Sequence, residues 1–325
     1  MDHVQLGSTG VTVSRVILGC GNFGGIGSSP AFFGRGTSKA DAFALMDAAW
    51  DAGITTFDTA DAYGGGRSES FIGEWLATKP TNVRDRLVIA TKTYNPMDDG
   101  ADRGLKPARI ARQIDSSLAR LGVERVAMYL AHDCDTKVRH ADTMGAFDDL
   151  VTVGKVGAVG ASNFTATQLS AALKASAANG LVRYEWVQNS FSLLEQSDND
   201  KLLPLCAEQG LGYTPFSPLA GGWLTGKYRR DGAPPPGSRM TLRPEPYESY
   251  RTPRVFDALD RLRLIAGEHS TSMAALSLAW LLAQPGITAV VIGPNHLDQL
   301  TPALDAARLS LPPTLLDEVT ESFHV

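Results

Sequence analysis

The chain has 325 residues, 43% hydrophobic and 20% charged, with a formal charge of −5 at pH 7. That balance allows a large globular core and is far from the polar bias of disorder, while the negative charge argues against a nucleic-acid surface but leaves room for a local basic pocket. Cys20, Cys134 and Cys206, an odd number without CxxC spacing, indicate neither a disulfide framework nor a thiolate zinc site, and fit a reducing, cytoplasmic setting.

The opening MDHVQLGS has no basic stretch followed by an apolar core, so no signal segment is expected, and the longest apolar run, Met273–Ala283, is too short to cross a bilayer. Residues 4–13 read as two short strands around Gly7 and Gly10, a hairpin ahead of the main fold. Val16–Gly19 is an apolar run that leads into CGNFGGIG, and residues 39–52 then carry apolar positions at helical spacing behind Ser38, a good N-cap. The alternation repeats with strand 54–57 and helix 68–76, 87–90 and 107–121, 125–131 and 143–153, and 156–160 and 165–178. Residues 182–189 with 202–209, 212–215 with 253–268, and 289–292 with 297–307 complete eight strands. Strands that alternate with helices pair in parallel, and eight such units close into a (β/α)8 barrel, which at this length is expected to be one domain over residues 1–325. A doubly wound open sheet would want a GxGxxG turn with an acid about 20 residues on, and CGNFGGIG does not fit. Residues 215–252, rich in glycine and proline, are too long for an ordinary turn after the seventh strand and read as a lid over a ligand. Residues 270–284 are apolar all round and read as an extra, buried helix.

Three predicted strands end in reactive groups. The run before Asp58 is β-branched and aromatic, and Tyr63 follows five residues later, backed by Gly64, Gly65 and Gly66; two other strands stop at Lys92 and His132. In a parallel barrel these four side chains meet at the C-terminal mouth. A tyrosine titrating near 10 is a poor acid or base at neutral pH, and a lysine about 4 Å away favours the phenolate by roughly 4 kcal/mol at an effective dielectric near 20. Asp58 would hold that lysine, and His132 would orient a carbonyl oxygen. Taken singly, each has an ordinary explanation, such as a turn cap for Asp58; their weight lies in occurring together. The run HDCD at residues 132–135 invites a metal reading, as in a metal-dependent barrel hydrolase, but the remaining histidines offer no paired spacing.

In those four residues and their setting the chain resembles an aldo-keto reductase, in particular the bacterial and potassium-channel β-subunit-like branch. The resemblance runs from LGSTGVTVSRVILGCGNFGG to VVIGPNHLDQL. It implies a barrel floor plugged by the hairpin, a catalytic tetrad of Asp58, Tyr63, Lys92 and His132, and reversible reduction of a small aldehyde or ketone by NADPH, with NADH possible. Ser162, Asn163 and Gln188 match the trio that holds the nicotinamide carboxamide, and Asn22 with Phe23 the segment near its ribose. Phe216 takes the place of the aromatic residue stacked on the nicotinamide ring. Ser217, Pro218, Leu219 and Gly221 match the pyrophosphate belt, with Lys227 and Arg239 adding positive charge. Gly293, Asn295 and Gln299 stand at the adenosine end, but Asn295 replaces the usual Arg or Ser, and Pro302 with Ala303 the usual acid-amide pair. Phe23, Phe32, Phe33, Tyr94 and Trp223 are candidates to shape the substrate pocket. The alternative implied by the same resemblance is a non-catalytic, nucleotide-binding regulatory subunit, which an intact Tyr63, Lys92 and His132 disfavour. Oligomeric state is left open.

Overall fold

In the computed structural model, which describes residues 1–323, eight parallel strands alternate with helices and curl into a (β/α)8 barrel. β1 (His3–Gln5) and β2 (Thr12–Ser14) come first and pair antiparallel, with Val4 opposite Val13. The barrel strands are β3 (Val16–Gly19), β4 (Thr56–Asp58), β5 (Val88–Thr93), β6 (Val126–Ala131), β7 (Val156–Ser162), β8 (Trp186–Gln188), β9 (Gly212–Tyr213) and β10 (Val290–Ile292). They neighbour one another in chain order from β3 to β9, and β10 lies on the far side of β3. The remaining seam is bridged where Thr288 N donates to Tyr213 O at 2.8 Å and Val291 N donates to Pro215 O at 2.9 Å.

Successive side chains on a strand point to opposite faces, and this parity builds both core and mouth. Ile17, Ala90, Met128, Leu130, Ala158, Trp186 and Val291 pack inside the barrel with Leu6 and Val13 of the hairpin. Gly7 lies against Glu185 O and Gly212 N, so the hairpin covers the ends where β8 and β9 begin. Two residues beyond inward-facing Ala90, Leu130 and Trp186 come Lys92, His132 and Gln188, and Ser162 stands four beyond Ala158. The alternation that fills the barrel with apolar atoms therefore aims polar side chains at its C-terminal mouth. On the outer face, Phe57 meets Trp75 at 5.4 Å.

The helices start where the sequence places caps. Ser38 accepts from Asp41 N ahead of helix Lys39–Asp51, and Thr165 with Gln168 forms a capping box ahead of Ala166–Asn179. In helix Met273–Ala283 every residue from Met273 to Leu281 is buried, as its lack of a polar face requires. Residues 297–307 are not one helix: a 3₁₀ turn, Leu297–Leu300, precedes helix Thr301–Ala306, with Pro302 in its first turn. Helices Thr81–Arg84 and Pro313–Glu321 are among the segments that lie outside the sequence expectations. The long connection after β9 carries only short turns and the four-residue helix Arg239–Leu242, above an aromatic base of Trp223, Tyr228 and Phe256. Among the described residues, no helix is long and apolar enough to cross a membrane.

Candidate active site

β4 ends in Asp58, and the chain then turns across the mouth. Asp61 N donates to Lys92 O at 3.0 Å, and Tyr63 opens a turn in which Gly64 and Gly65 take φ of 59° and 68°. Two consecutive left-handed residues are cheap only for glycine, so the triplet after Tyr63 is what lets a phenol stand over neighbouring strand ends.

Lys92 Nζ donates to Asp58 Oδ1 at 2.5 Å and to Thr59 O at 2.8 Å, and lies 3.4 Å from Tyr63 OH. Gln188 Nε2 donates to the other Asp58 oxygen at 2.8 Å. Lys92 is 0% and Asp58 3% exposed, so the pair is dry and stands only because its geometry and extra hydrogen bonds offset the loss of water. Burial works to lower the Lys92 pKa, but Asp58 and then Tyr63 outweigh it, and the lysine sits above its ordinary value. For Tyr63 the balance falls the other way. Burial raises the phenol above its usual range, and Lys92 recovers only part of that rise. The expected pull of Lys92 towards phenolate is present but outweighed, so Tyr63 keeps its proton at neutral pH.

His132 meets Tyr63 edge-on, with ring centroids 5.4 Å apart and planes at 80°. Burial, then the Lys92 charge, push its pKa well below the usual histidine range, leaving a neutral imidazole whose Nδ1 is buried without a partner. A protonated phenol beside a neutral imidazole can donate a proton to an oxygen placed between them. The acids after His132 are structural: Asp133 Oδ1 accepts from Cys134 N at 2.7 Å, and Asp135 accepts from Leu105 N at 2.8 Å and Lys137 N at 2.9 Å. Among the described residues, no three His, Cys, Asp or Glu side chains gather as metal ligands.

Ser162 ends β7, and Asn163 adopts φ 59°, held by Nδ2 donating to His132 O at 2.9 Å and to Ser162 Oγ at 3.2 Å. The following helix is capped by Thr165, so capping does not explain Ser162 and Asn163. Phe216 packs on the inward cluster, and the belt behind it is strained, with Ser217 at φ 53°, Ala220 at 47°, Gly221 at 63° and Gly222 at 95°. Non-glycine residues in this region persist only where their surroundings hold them, and they concentrate at ligand clamps. Pro218 is buried and Leu219 half-buried within the same turn.

Lys227 and Arg239 form no ion pair among the described residues. Burial lowers the pKa of each, and Arg239 lowers that of Lys227 further. Arg239 Nη2 donates to Asn22 Oδ1 at 2.9 Å, and Asn22 Nδ2 to Gly293 O at 3.3 Å, tying the long connection to the ends of β3 and β10. Asn295 N donates to Gln299 Oε1 at 2.9 Å, so Gln299 folds back on its own loop.

Two sequence expectations need correction. Phe23 is 0% and Trp223 1% exposed. Phe23 lies in the core, and Trp223 packs on Tyr228 at 5.0 Å and Phe256 at 5.5 Å, so neither presents a face at the mouth. Aromatic area of that size is worth more in a packed layer than on a loop, and loop position alone did not reveal it. Phe32, Phe33 and Tyr94 remain partly exposed. The grip of Gln188 on Asp58 and of Thr59 O on Lys92 had no sequence signal, since one is a contact across the barrel and the other a main-chain atom.

Among known proteins, the profile of the Aldo/keto reductase family matches residues 15–322. The chain is 34% identical to the uncharacterized oxidoreductase YrpG of Bacillus subtilis (strain 168), over 99% of this chain and 96% of that protein. It is 29% identical to a probable voltage-gated potassium channel subunit beta of Oryza sativa subsp. japonica, over 100% and 96% respectively. It is 28% identical to the NADH-specific methylglyoxal reductase of Escherichia coli (strain K12), over 100% of both.

Proposed function

The chain belongs to the Aldo/keto reductase family and is a nicotinamide-dependent oxidoreductase; from that premise we propose that it reduces an aldehyde or ketone to the alcohol with NADPH, Tyr63 giving the proton. A bound nicotinamide cofactor supplies the hydride that reaches the carbonyl carbon. Tyr63 OH donates to the carbonyl oxygen, His132 orients that oxygen, and Lys92 stabilises the phenolate left behind while Asp58 and Gln188 hold the lysine in register. In the reverse direction the phenolate takes the proton from the alcohol. Asn22, Ser162, Asn163 and Gln188 would hold the nicotinamide end under Phe216, the belt from Ser217 to Gly221 with Lys227 and Arg239 the phosphates, and Gly293, Asn295 and Gln299 the adenosine end. The chain's residues fit such a group: among the described residues the cations Lys227 and Arg239 have no carboxylate partner, and they stand beside a belt whose turned backbone lets N–H groups approach an anion. Cys20, Cys134 and Cys206 are all free and buried, in keeping with a cytoplasmic setting.

The observation that carries the reading is the buried ammonium of Lys92, pinned to Asp58 and aimed at a protonated Tyr63. A panel of aldehydes and ketones followed by nicotinamide absorbance tests it with wild type and Tyr63→Phe. Turnover in the variant is expected to drop about 10²- to 10⁴-fold while cofactor affinity stays near that of wild type. A variant that keeps wild-type turnover where chemistry limits the rate overturns the proton-donor role. The likeness to a channel subunit supports a second reading, a nucleotide-binding regulatory subunit, and absence of turnover by the wild type across the panel would favour it.

A further inference from the structure

We propose that the carbonyl compound taken by this site is anionic, its carboxylate or phosphate held by Arg35 and Arg243 at the rim beside Phe32; this rests on the reductase reading above. The wall that carries them lies against the proposed proton donor. A Cβ on Gly21 would stand 3.5 Å from the Tyr63 ring, a Cβ on Gly25 only 2.6 Å from Gly64 Cα, and Gly64 N donates to Gly27 O at 3.2 Å. On this wall Phe32 keeps part of its ring exposed, and two guanidinium carbons approach it, Arg35 at 5.9 Å and Arg243 at 5.6 Å from the centroid. Arg243 also comes within 3.1 Å of where a Gly27 Cβ would lie. A third cation, Arg67, lies along Gly24 and donates to Gly64 O at 2.6 Å, one residue from Tyr63.

None of Arg35, Arg67 and Arg243 forms an ion pair among the described residues. An aromatic face stabilises each guanidinium only modestly, so both keep most of their capacity to meet an anion. A substrate oxyanion at this rim gains charge-assisted contacts, which the planar fork of arginine suits. Arg243 stands one helical turn beyond Arg239 but turns to Phe32, whereas Arg239 turns to Asn22. The two cations thus divide between the substrate wall and the cofactor side. The chain carries a net charge of −5, so attraction of an anion to this mouth is local rather than a property of the overall field.

The test uses the full-length enzyme with saturating NADPH and two aldehydes of nearly equal shape, 4-carboxybenzaldehyde and 4-formylbenzamide. The acid is expected to have the higher kcat/KM by about 10-fold, mostly through KM, and the advantage should shrink as salt is raised. In Arg35→Ala/Arg243→Ala the acid-to-amide ratio should collapse towards one. Equal efficiency with the two aldehydes in the wild type overturns the proposal. So does a double variant that loses efficiency equally with both while the KM for NADPH climbs, because that places the arginines on the cofactor. If neither aldehyde is turned over, the reductase reading fails separately. Calorimetric titration with benzene-1,4-dicarboxylate then decides the anion site: binding lost in the double variant supports it, and no binding to the wild type overturns it.

Discussion

At the ends of β4 and β5, Lys92 and Asp58 are paired with each other within the protein, whereas across the mouth, on the connection after β9, Lys227 and Arg239 form no ion pair among the described residues. Lys92 is closed on Asp58 and Thr59 O, Asp58 is closed on Lys92 and Gln188, and the backbone between them runs in regular strands. Lys227 is exposed and Arg239 half-buried, neither with a carboxylate partner among the described residues, on a segment where Ser217 and Ala220 sit at positive φ. The difference teaches what each region is for. A self-satisfied buried network is a fixed tool, set before any ligand arrives. On the proposed reading, a strained turn with uncompensated charge is unfinished until it meets an anion, and it would then contribute to binding and not to the stability of the free protein.

The most damaging way to test the fixed region is Lys92→Met. It removes the group that stabilises the tyrosinate and leaves Asp58 buried with Gln188 as its one remaining side-chain donor. Turnover should fall at least as far as in Tyr63→Phe, and breaking a buried pair costs about 3–5 kcal/mol, so the melting temperature at pH 7 should drop by several degrees. An unchanged melting temperature would mean that the pair does not hold the mouth together.

The opposite outcome is expected in the unfinished region. Arg239→Met removes a half-buried cation whose side-chain hydrogen bond, among the described residues, is to Asn22, so the free protein should melt at or slightly above the wild-type temperature. Cofactor Kd should rise about 10-fold, the loss of one charge-assisted contact of roughly 1.5 kcal/mol. A clear fall in the melting temperature of the free protein would show that Arg239 is structural and would erase the contrast drawn above.

A buried acid next to the fixed region sharpens the comparison through pH. Asp61 lies between Asp58 and Tyr63, and both of its carboxyl oxygens are buried without a hydrogen bond, the nearest cation being Arg109 Nη2 at 4.0 Å. Burial, then the neighbouring Glu69, raise its pKa to about 7 against the opposing pull of Thr93, Arg109 and Arg120. Glu69 is itself tied to Arg120 Nε at 2.8 Å and to Thr91 at 2.5 Å, and Tyr129 OH is buried nearby without a partner. Between about pH 4, where the unfolded chain loses this proton, and about pH 7 the folded protein still holds it, so rising pH destabilises the fold through that window. Asp61→Asn mimics the protonated form and lacks that slope. Its melting temperature should match wild type near pH 4 and exceed it at pH 8, by on the order of a few kcal/mol in stability. A difference from wild type that stays constant with pH would contradict the assignment.

What the sequence made legible follows from period and end position. Strand parity carried Lys92, His132, Ser162 and Gln188 to one mouth, because an inward residue two or four places earlier fixes where each side chain points. Caps such as Ser38 and Thr165 were readable for the same local reason. The connection after β9 has no period to read, so Trp223 could be placed on it but not oriented, and it turned out to be buried. The Lys92 charge is visible in a sequence and the loss of water around the phenol is not, and it is the latter that sets the balance at Tyr63. The arginines at Phe32 come from segments more than 200 residues apart in the chain, 35 and 243, and no spacing rule joins them.

The smallest expected effect is the choice between cofactors, which tests how far the unfinished region reaches. NADPH differs from NADH by a 2′-phosphate at the adenosine end, and discrimination needs a donor or cation there, each worth about 1.5–3 kcal/mol when charge-assisted. Arg239 is engaged with Asn22, beside the strand ends where the nicotinamide side is proposed, and Lys227 lies against Gly222 of the belt. Both therefore favour phosphates that the two cofactors share. At the far end stands Asn295, its backbone N–H taken by Gln299 and its side chain uncharged. We expect NADPH to be preferred by about 10-fold in kcat/KM, or about 1.4 kcal/mol. Asn295→Arg puts a cation where that phosphate would lie and should widen the gap to about 100-fold, acting on the KM for NADPH and leaving NADH kinetics nearly unmoved. Steady-state kinetics of both proteins with both cofactors decide the matter: a wild type that prefers NADH, or a variant whose preference does not change, would move the 2′-phosphate away from Asn295.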